Sequence, residues 1–171
     1  MDYFNANYDD EKRWMSYWHQ IERVLEFKPR NVLVVGKGNG LVAKYLKLAG
    51  ISVMTLDIDK NLKPDIIASV LKMPFSNGEF DAVLGAQVLE HLPYEDFAKA
   101  LSEIKRVARN GAVVSLPHFG PVIKFCFKIP LLPAVRFMIK LPYPIKHRFK
   151  GEHHWEIGKG GYPLRRIKND I

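Results

Sequence analysis

The stretch from Asn31 to Asp57 restricts this chain's fold more than any other. An apolar run, NVLVV, is followed by a glycine loop, GKGNG, then a helical face, then a second apolar run, SVMTLD. Short β-branched runs of this kind suit parallel strands covered on both faces. Leu41, Val42, Tyr45, Leu46 and Ala49 recur at helical spacing, and Gly50 stops that helix. Strand, loop, helix and strand in this order make a right-handed βαβ unit. Glycines in such a loop let a ligand approach backbone N–H groups at a helix N-terminus, where a carboxylate or phosphate is favoured. Gly36, Lys37, Gly38 and Gly40 are therefore candidate binding residues. Asp57 ends the second strand about twenty residues later, where a carboxylate accepts from the hydroxyls of a ribose diol. Asp59 is the better cap for the next turn, which leaves Asp57 to the diol. A dinucleotide fingerprint needs a third glycine where this chain has Leu41, so a pyrophosphate cofactor such as NAD is disfavoured.

The rest of the chain extends this unit. Asp10–Phe27 reads as an amphipathic helix with Trp14, Trp18, Ile21 and Leu25 on its inner face, Tyr17 and Val24 beside them, and Asp9 or Asp10 as its cap. Asp65–Ile67 is a third strand, too close to Asp57 for more than a single intervening turn. Phe80–Ala86 is a fourth strand, after the Asn77-Gly78 turn. Tyr94–Arg109 is a helix facing inward through Phe97, Leu101, Ile104 and Ala108, and Ala112–Pro117 is a fifth strand. Beyond it, Pro121, Pro130, Pro133, Pro142 and Pro144 interrupt an apolar, basic segment read as short helices. Val122–Ile129 is its one candidate strand, and its basic residues suit a helix face equally well. GEHHWEIGKGG is a loop, and YPLRRIKNDI opens a last helix with Pro163 near its first position. The expected fold is α/β and Rossmann-like, with a mostly parallel sheet of about five strands. It is read as one domain: an N-terminal helix over 1–28, a binding core over 31–118, and a lid and C-terminal segment over 119–171. No closing C-terminal strand pair is expected. The exposed edge of the fifth strand would then be covered by the 119–150 segment or by a homodimer partner.

Charge is unevenly placed. The net charge is +8, yet no acidic residue stands between Glu103 and Glu152. The segment 119–150 is expected to be a lid over the acceptor site. Its apolar, basic make-up also suits peripheral contact with an anionic membrane through an amphipathic helix, the alternative being a simple core-covering segment. The single cysteine, Cys126, cannot form an internal disulfide. With no signal-peptide pattern in MDYFNANYDDEKRW and no run of transmembrane length, a cytoplasmic location is expected.

Five segments, in order, carry a family resemblance: VLVVGKGNG, VMTLDID, LKMPF, FDAVLGAQVLEHLP and EIKRVARNGAVVSLPH. Together they resemble the class I methyltransferases that depend on S-adenosylmethionine (SAM), from about Asn31 to His118. The resemblance implies that Gly36, Gly38 and Gly40 face the methionine part of SAM. Lys37, by its own charge, is expected to pair with the SAM carboxylate, the alternative being that it crowds the sulfonium. The resemblance places Asp57 on the ribose, Ile58 on the adenine face, Ser69 and Val70 at the adenine edge, and Ala86 and Gln87 beside the methyl group. Leu89 and Leu92 are read as core. Glu90 and His91 either line the pocket or brace the helix start. Two positions depart from the family pattern: Val34 stands where an acid usually helps hold the SAM ammonium, and Lys37 stands where cysteine is common.

EHHWEIG also resembles a segment that follows the fifth strand in some of these enzymes. It makes His153 and Trp155 candidates for an acceptor wall, against the alternative of a packed connector with Trp155 in the core. His118, just past the fifth strand, is the candidate general base. His118, His147, His153 and His154 with Glu152 and Glu156 fit no standard zinc spacing, so no metal is assigned. The implied activity is methyl transfer from SAM to a small-molecule or lipid-like acceptor. The Asn- or Asp-Pro-Pro-Tyr motif of base methyltransferases is absent, with Gly85-Ala86-Gln87-Val88 near that place, so a nucleic acid is not favoured. Alternatives are a non-catalytic SAM-binding protein of the same fold and an NAD-dependent oxidoreductase.

Overall fold

The computed structural model describes residues 8–128, 135–141, 145–149 and 151–171, without the side chains of Lys124 and Arg136. The expected prolines 130, 133, 142 and 144 and the first seven residues lie outside this description. The chain divides into two compact units, Met1–Leu116 and Pro117–Ile171.

The first unit is the expected βαβ array. Its elements are α1 (Glu11–Leu25), β1 (Asn31–Val35), α2 (Leu41–Leu48), β2 (Ser52–Asp57), β3 (Ile66–Ile67), β4 (Phe80–Ala86), α3 (Phe97–Val107) and β5 (Ala108–Ser115). The five strands form one sheet in the order β3-β2-β1-β4-β5, and every pairing is parallel. A single 3-10 turn, Lys60–Leu62, links β2 to β3 as the short spacing requires. β5 begins directly at the end of α3, four residues earlier than the sequence pattern indicated.

Asp10 caps α1 by accepting from the N–H of Arg13. The buried side of α1 is Tyr17, Gln20 and Val24, with Ile21 packed alongside. This corrects the expected face: Trp14 and Trp18 are 53% and 52% exposed. Helical spacing alone does not choose between two adjacent apolar stripes. Here the narrower stripe packs, on a cluster of Val32, Val34, Val42, Leu46 and Leu84.

The second unit holds the larger correction. Val122–Phe127 (β6) and Val135–Lys140 (β7) are not helical; they form an antiparallel hairpin that is its own two-stranded sheet. Among the described residues, these two further strands pair with each other and not beside β5. Proline brackets leave room for few helical turns, while alternating Ile, Phe and Phe meets the two-residue period of a strand. Trp155, Ile157 and Ile167 are buried, and α4 (Leu164–Asn169) follows Pro163. Among the described residues, no helix is long and apolar enough to cross a membrane.

Candidate functional site

Strand register brings the candidate residues of the first unit into a row. Val35 of β1 pairs with Leu56 of β2 on one side and with Gly85 of β4 on the other. The next residues, Gly36, Asp57 and Ala86, therefore emerge level at the carboxyl edge of the sheet. Ile67 pairs with Asp57, so Ser69 and Val70 lie just past the same edge. The strand order reverses between β1 and β4, and open α/β sheets bind ligands at that switch point.

The loop takes its shape from glycine. Gly36, Gly38 and Gly40 have φ of 78°, 53° and 75°, in the left-handed region that side chains disfavour. At Gly36 a Cβ would stand 2.3 Å from a methyl carbon of Val88, so this position also admits the close approach of the segment after β4. Gly40 opens α2 without a side-chain cap of its own. The positive end of α2 thus faces the loop, where it favours an anion.

Asp57 is engaged from both sides. One oxygen accepts from the N–H of Lys37 at 2.8 Å and the other from the N–H of Asp59 at 2.9 Å. Asp59 does cap the following turn, through the N–H of Asn61, but Asp57 is not left free of the chain as the sequence suggested. Each of its oxygens keeps acceptor capacity for a diol. The Lys37 ammonium donates to the carbonyl of Lys63. Ile58 is exposed, Ser69 half-buried and Val70 buried. Gln87 has φ 56°, and its side-chain amide reaches the hydroxyl of Ser115 at 3.4 Å. Leu89 and Glu90 are fully buried, whereas His91 is exposed.

A polar cluster that the sequence reading missed adjoins the loop. The Asp9 carboxylate accepts from the Tyr17 hydroxyl at 2.8 Å and from the Asn39 side-chain amide at 3.3 Å. That amide also donates to the Tyr17 oxygen at 3.0 Å, and the Asn39 carbonyl accepts from the N–H of Leu41. Burial, with the Asp9 carboxylate beside it, pushes the Tyr17 phenol up to about 12. The one legible signal was Asn39 inside the loop; Asp9 and Tyr17 are distant in sequence. Val34 lies buried in the apolar cluster that also contains Tyr17.

The second unit places the remaining candidates. His118 lines a cavity of about 580 Å³ with Phe119, Lys140, Lys159 and Leu164 among its walls. Burial lowers the His118 pKa, and the nearby Lys140 charge lowers it further. His153 binds Glu156 at 3.1 Å, Glu156 also pairs with Lys159 at 3.0 Å, and a His147 ring nitrogen meets the His153 carbonyl at 2.9 Å. Trp155 is wholly buried against Tyr162, which is the packed-connector alternative.

Comparison with known proteins agrees with the fold. Residues 33–116 match the family model described as a methyltransferase domain. Ajmaline N-methyltransferase of Rauvolfia serpentina is 32% identical over 111 residues, covering 54% of this chain and 38% of that protein. An uncharacterized protein of Methanocaldococcus jannaschii is 36% identical over 88 residues, covering 47% of this chain and 38% of its own length. The chain thus spans about two fifths of these curated relatives. Among solved structures, the 1,6-didemethyltoxoflavin-N1-methyltransferase of Burkholderia thailandensis, with bound 1,6-didemethyltoxoflavin and S-adenosylhomocysteine, superposes with a TM-score of 0.52 at 17% identity. That match covers 72% of this chain and 62% of that one. A SAM-dependent methyltransferase of Archaeoglobus fulgidus gives 0.51 at 20% identity, covering 66% and 52%.

Proposed function

We propose that this chain, whose residues 33–116 match a methyltransferase domain model on a fold shared with SAM-dependent methyltransferases, binds SAM along the row Gly36–Asp57–Ala86 and transfers its methyl group to a small or lipid-like acceptor. The observation that carries the proposal is the level emergence of those three residues at the switch point of the sheet. SAM supplies a methyl group already activated on a sulfonium, so the chain's task is mainly positioning.

In this reading the N–H groups of Gly38 and Asn39 and the positive end of α2 take the amino-acid carboxylate, with Lys37 turning from Lys63 to join them. Asp57 accepts from the ribose hydroxyls, Ile58 covers one adenine face, and Ser69 and Val70 border its edge. Ala86 and Gln87 flank the methyl group. Asp9, joined to the loop through Asn39, offers the ammonium the carboxylate that Val34 cannot. His118 is the proposed base for an acceptor that must lose a proton, and its lowered pKa keeps it neutral and competent at pH 7. His153, held by Glu156, is proposed to border the acceptor; Trp155 supports that wall from within the packing.

A panel of amine, hydroxyl and thiol acceptors assayed for S-adenosylhomocysteine release tests the reading. For the acceptor that turns over, activity is expected to be flat near neutral pH and to fall as pH drops through the lowered His118 pKa. His118→Gln should lower kcat and remove that limb. A second reading, SAM binding without transfer, is favoured by Val34 and by the engagement of Lys37 with Lys63. SAM binding with no turnover on any acceptor would select it.

A further inference from the structure

The hairpin of the second unit has a chemistry that methyl transfer does not use. Its register pairs Ile123 with Ile139, Phe125 with Phe137 and Phe127 with Val135. Paired and alternating positions share a face of a strand pair. All six of these residues are apolar, and all are between 41% and 64% exposed. Phe125 and Phe127 lie parallel, with ring centroids 6.4 Å apart. The opposite register positions are Val122, Lys124, Cys126, Arg136, Met138 and Lys140, half of them basic. Leu141, Ile145 and Phe149 are exposed close by in sequence. A contiguous apolar face of this kind marks an interaction surface.

Charge identifies the partner. From Pro117 to Gly151 the chain contains Lys124, Lys128, Arg136, Lys140, Lys146, Arg148 and Lys150, and no aspartate or glutamate. A second copy of this face would bring like charges together, and a neutral apolar partner would give no reason for excluding acids. An anionic bilayer meets both features: the acyl boundary accepts the apolar face while headgroup phosphates meet the lysines and arginines, as with interfacial amphipathic segments.

We infer that the β6–β7 hairpin docks on an anionic lipid bilayer, with Ile123, Phe125, Phe127, Val135, Phe137 and Ile139 entering the interface. This inference stands apart from methyl transfer, because none of these residues belongs to the proposed SAM site.

Flotation of the whole chain with phosphatidylcholine vesicles, with and without phosphatidylserine, tests it. The protein is expected to float with phosphatidylserine vesicles at low salt, and to be largely released near 1 M salt, where the screening length is about 3 Å. Phe125→Ser/Phe137→Ser is expected to lower partitioning at least about tenfold while leaving SAM binding unchanged. Charge reversal at Lys128→Glu/Lys146→Glu, which spares the hairpin face, should also weaken flotation, and it serves if the first variant misfolds. Absence of flotation with anionic vesicles would overturn the inference. So would equal flotation of the variants, or equal partitioning into vesicles of phosphatidylcholine alone. A concentration-dependent dimer abolished by Phe125→Ser/Phe137→Ser, without flotation, would assign the face to a second copy instead.

Discussion

Two backbone donors, the N–H groups of Lys37 and Asp59, hold the Asp57 carboxylate in one orientation before any ligand arrives. A carboxylate so fixed loses less freedom when it clamps a diol. Asp9 stands in a comparable relation to the loop, bound to Asn39 and Tyr17. If Asp9 meets the SAM ammonium, Asp9→Asn should weaken SAM at least about tenfold, since a bond to a charged group contributes roughly 1.5–3 kcal/mol. The same change should leave 5′-methylthioadenosine, which lacks the amino acid, nearly unaffected in calorimetric titration. Equal losses for both ligands would reduce Asp9 to a brace for the loop. The difference between these two acids also marks how far the site was legible. The glycine loop and Asp57 belong to one local βαβ unit, whose spacing is written in consecutive residues. Asp9 and Tyr17 reach the loop only through the packing of α1, which no spacing rule encodes. Trp155 shows the converse: it sits in a histidine-rich stretch that looks like a site, yet its ring is buried.

Among the elements, α3 holds the segment that follows β3. Glu103 accepts from the N–H of Met73 at 2.9 Å, while Arg106 donates to the carbonyls of Met73 and Phe75 and pairs with Glu103 at 2.6 Å. The Arg106 guanidinium is the chief cause that lowers the Glu103 carboxyl from 4.5 to about 2. A depressed carboxyl stabilises the fold above its unfolded pKa and loses that contribution as pH falls toward the folded one. Glu103→Gln should therefore cost up to about 2 kcal/mol at pH 7. The gap to the wild type should close as pH falls from 4.5 toward about 2, as followed by denaturant unfolding. A gap that is constant over that range would contradict the assigned role. At β5, a Cβ on Gly111 would lie 2.4 Å from the Phe27 ring. Gly111→Ala should displace that ring and destabilise by about 1–3 kcal/mol, with a matching fall in Tm; an unchanged Tm would show that Phe27 moves at no cost. The five parallel strands were legible because short apolar runs alternate with a glycine loop and helical faces, whereas their order in the sheet came from the structure. The hairpin was not, because Lys124 and Lys128 mimic a helical repeat while Ile123, Phe125 and Phe127 keep the strand period. For α1, two apolar stripes competed, and packing chose Tyr17 and Val24 over the tryptophans.

At the scale of the whole molecule, the two units divide two chemistries. The first gathers a glycine loop, a held carboxylate and a helix N-terminus at one sheet edge, where the SAM site is proposed. The second presents an apolar hairpin in an acid-free stretch, together with a cavity reached by His118. The proposed cofactor site and the inferred membrane face draw on different residues, so loss of one by substitution should leave the other. SAM is proposed to occupy the row Gly36–Asp57–Ala86. Isothermal titration of SAM into the wild type and into Asp57→Ala tests it most directly. Saturable binding to the wild type is expected, with a dissociation constant raised at least about tenfold in a folded Asp57→Ala. The same affinity in both proteins, or no binding to the folded wild type, would contradict it.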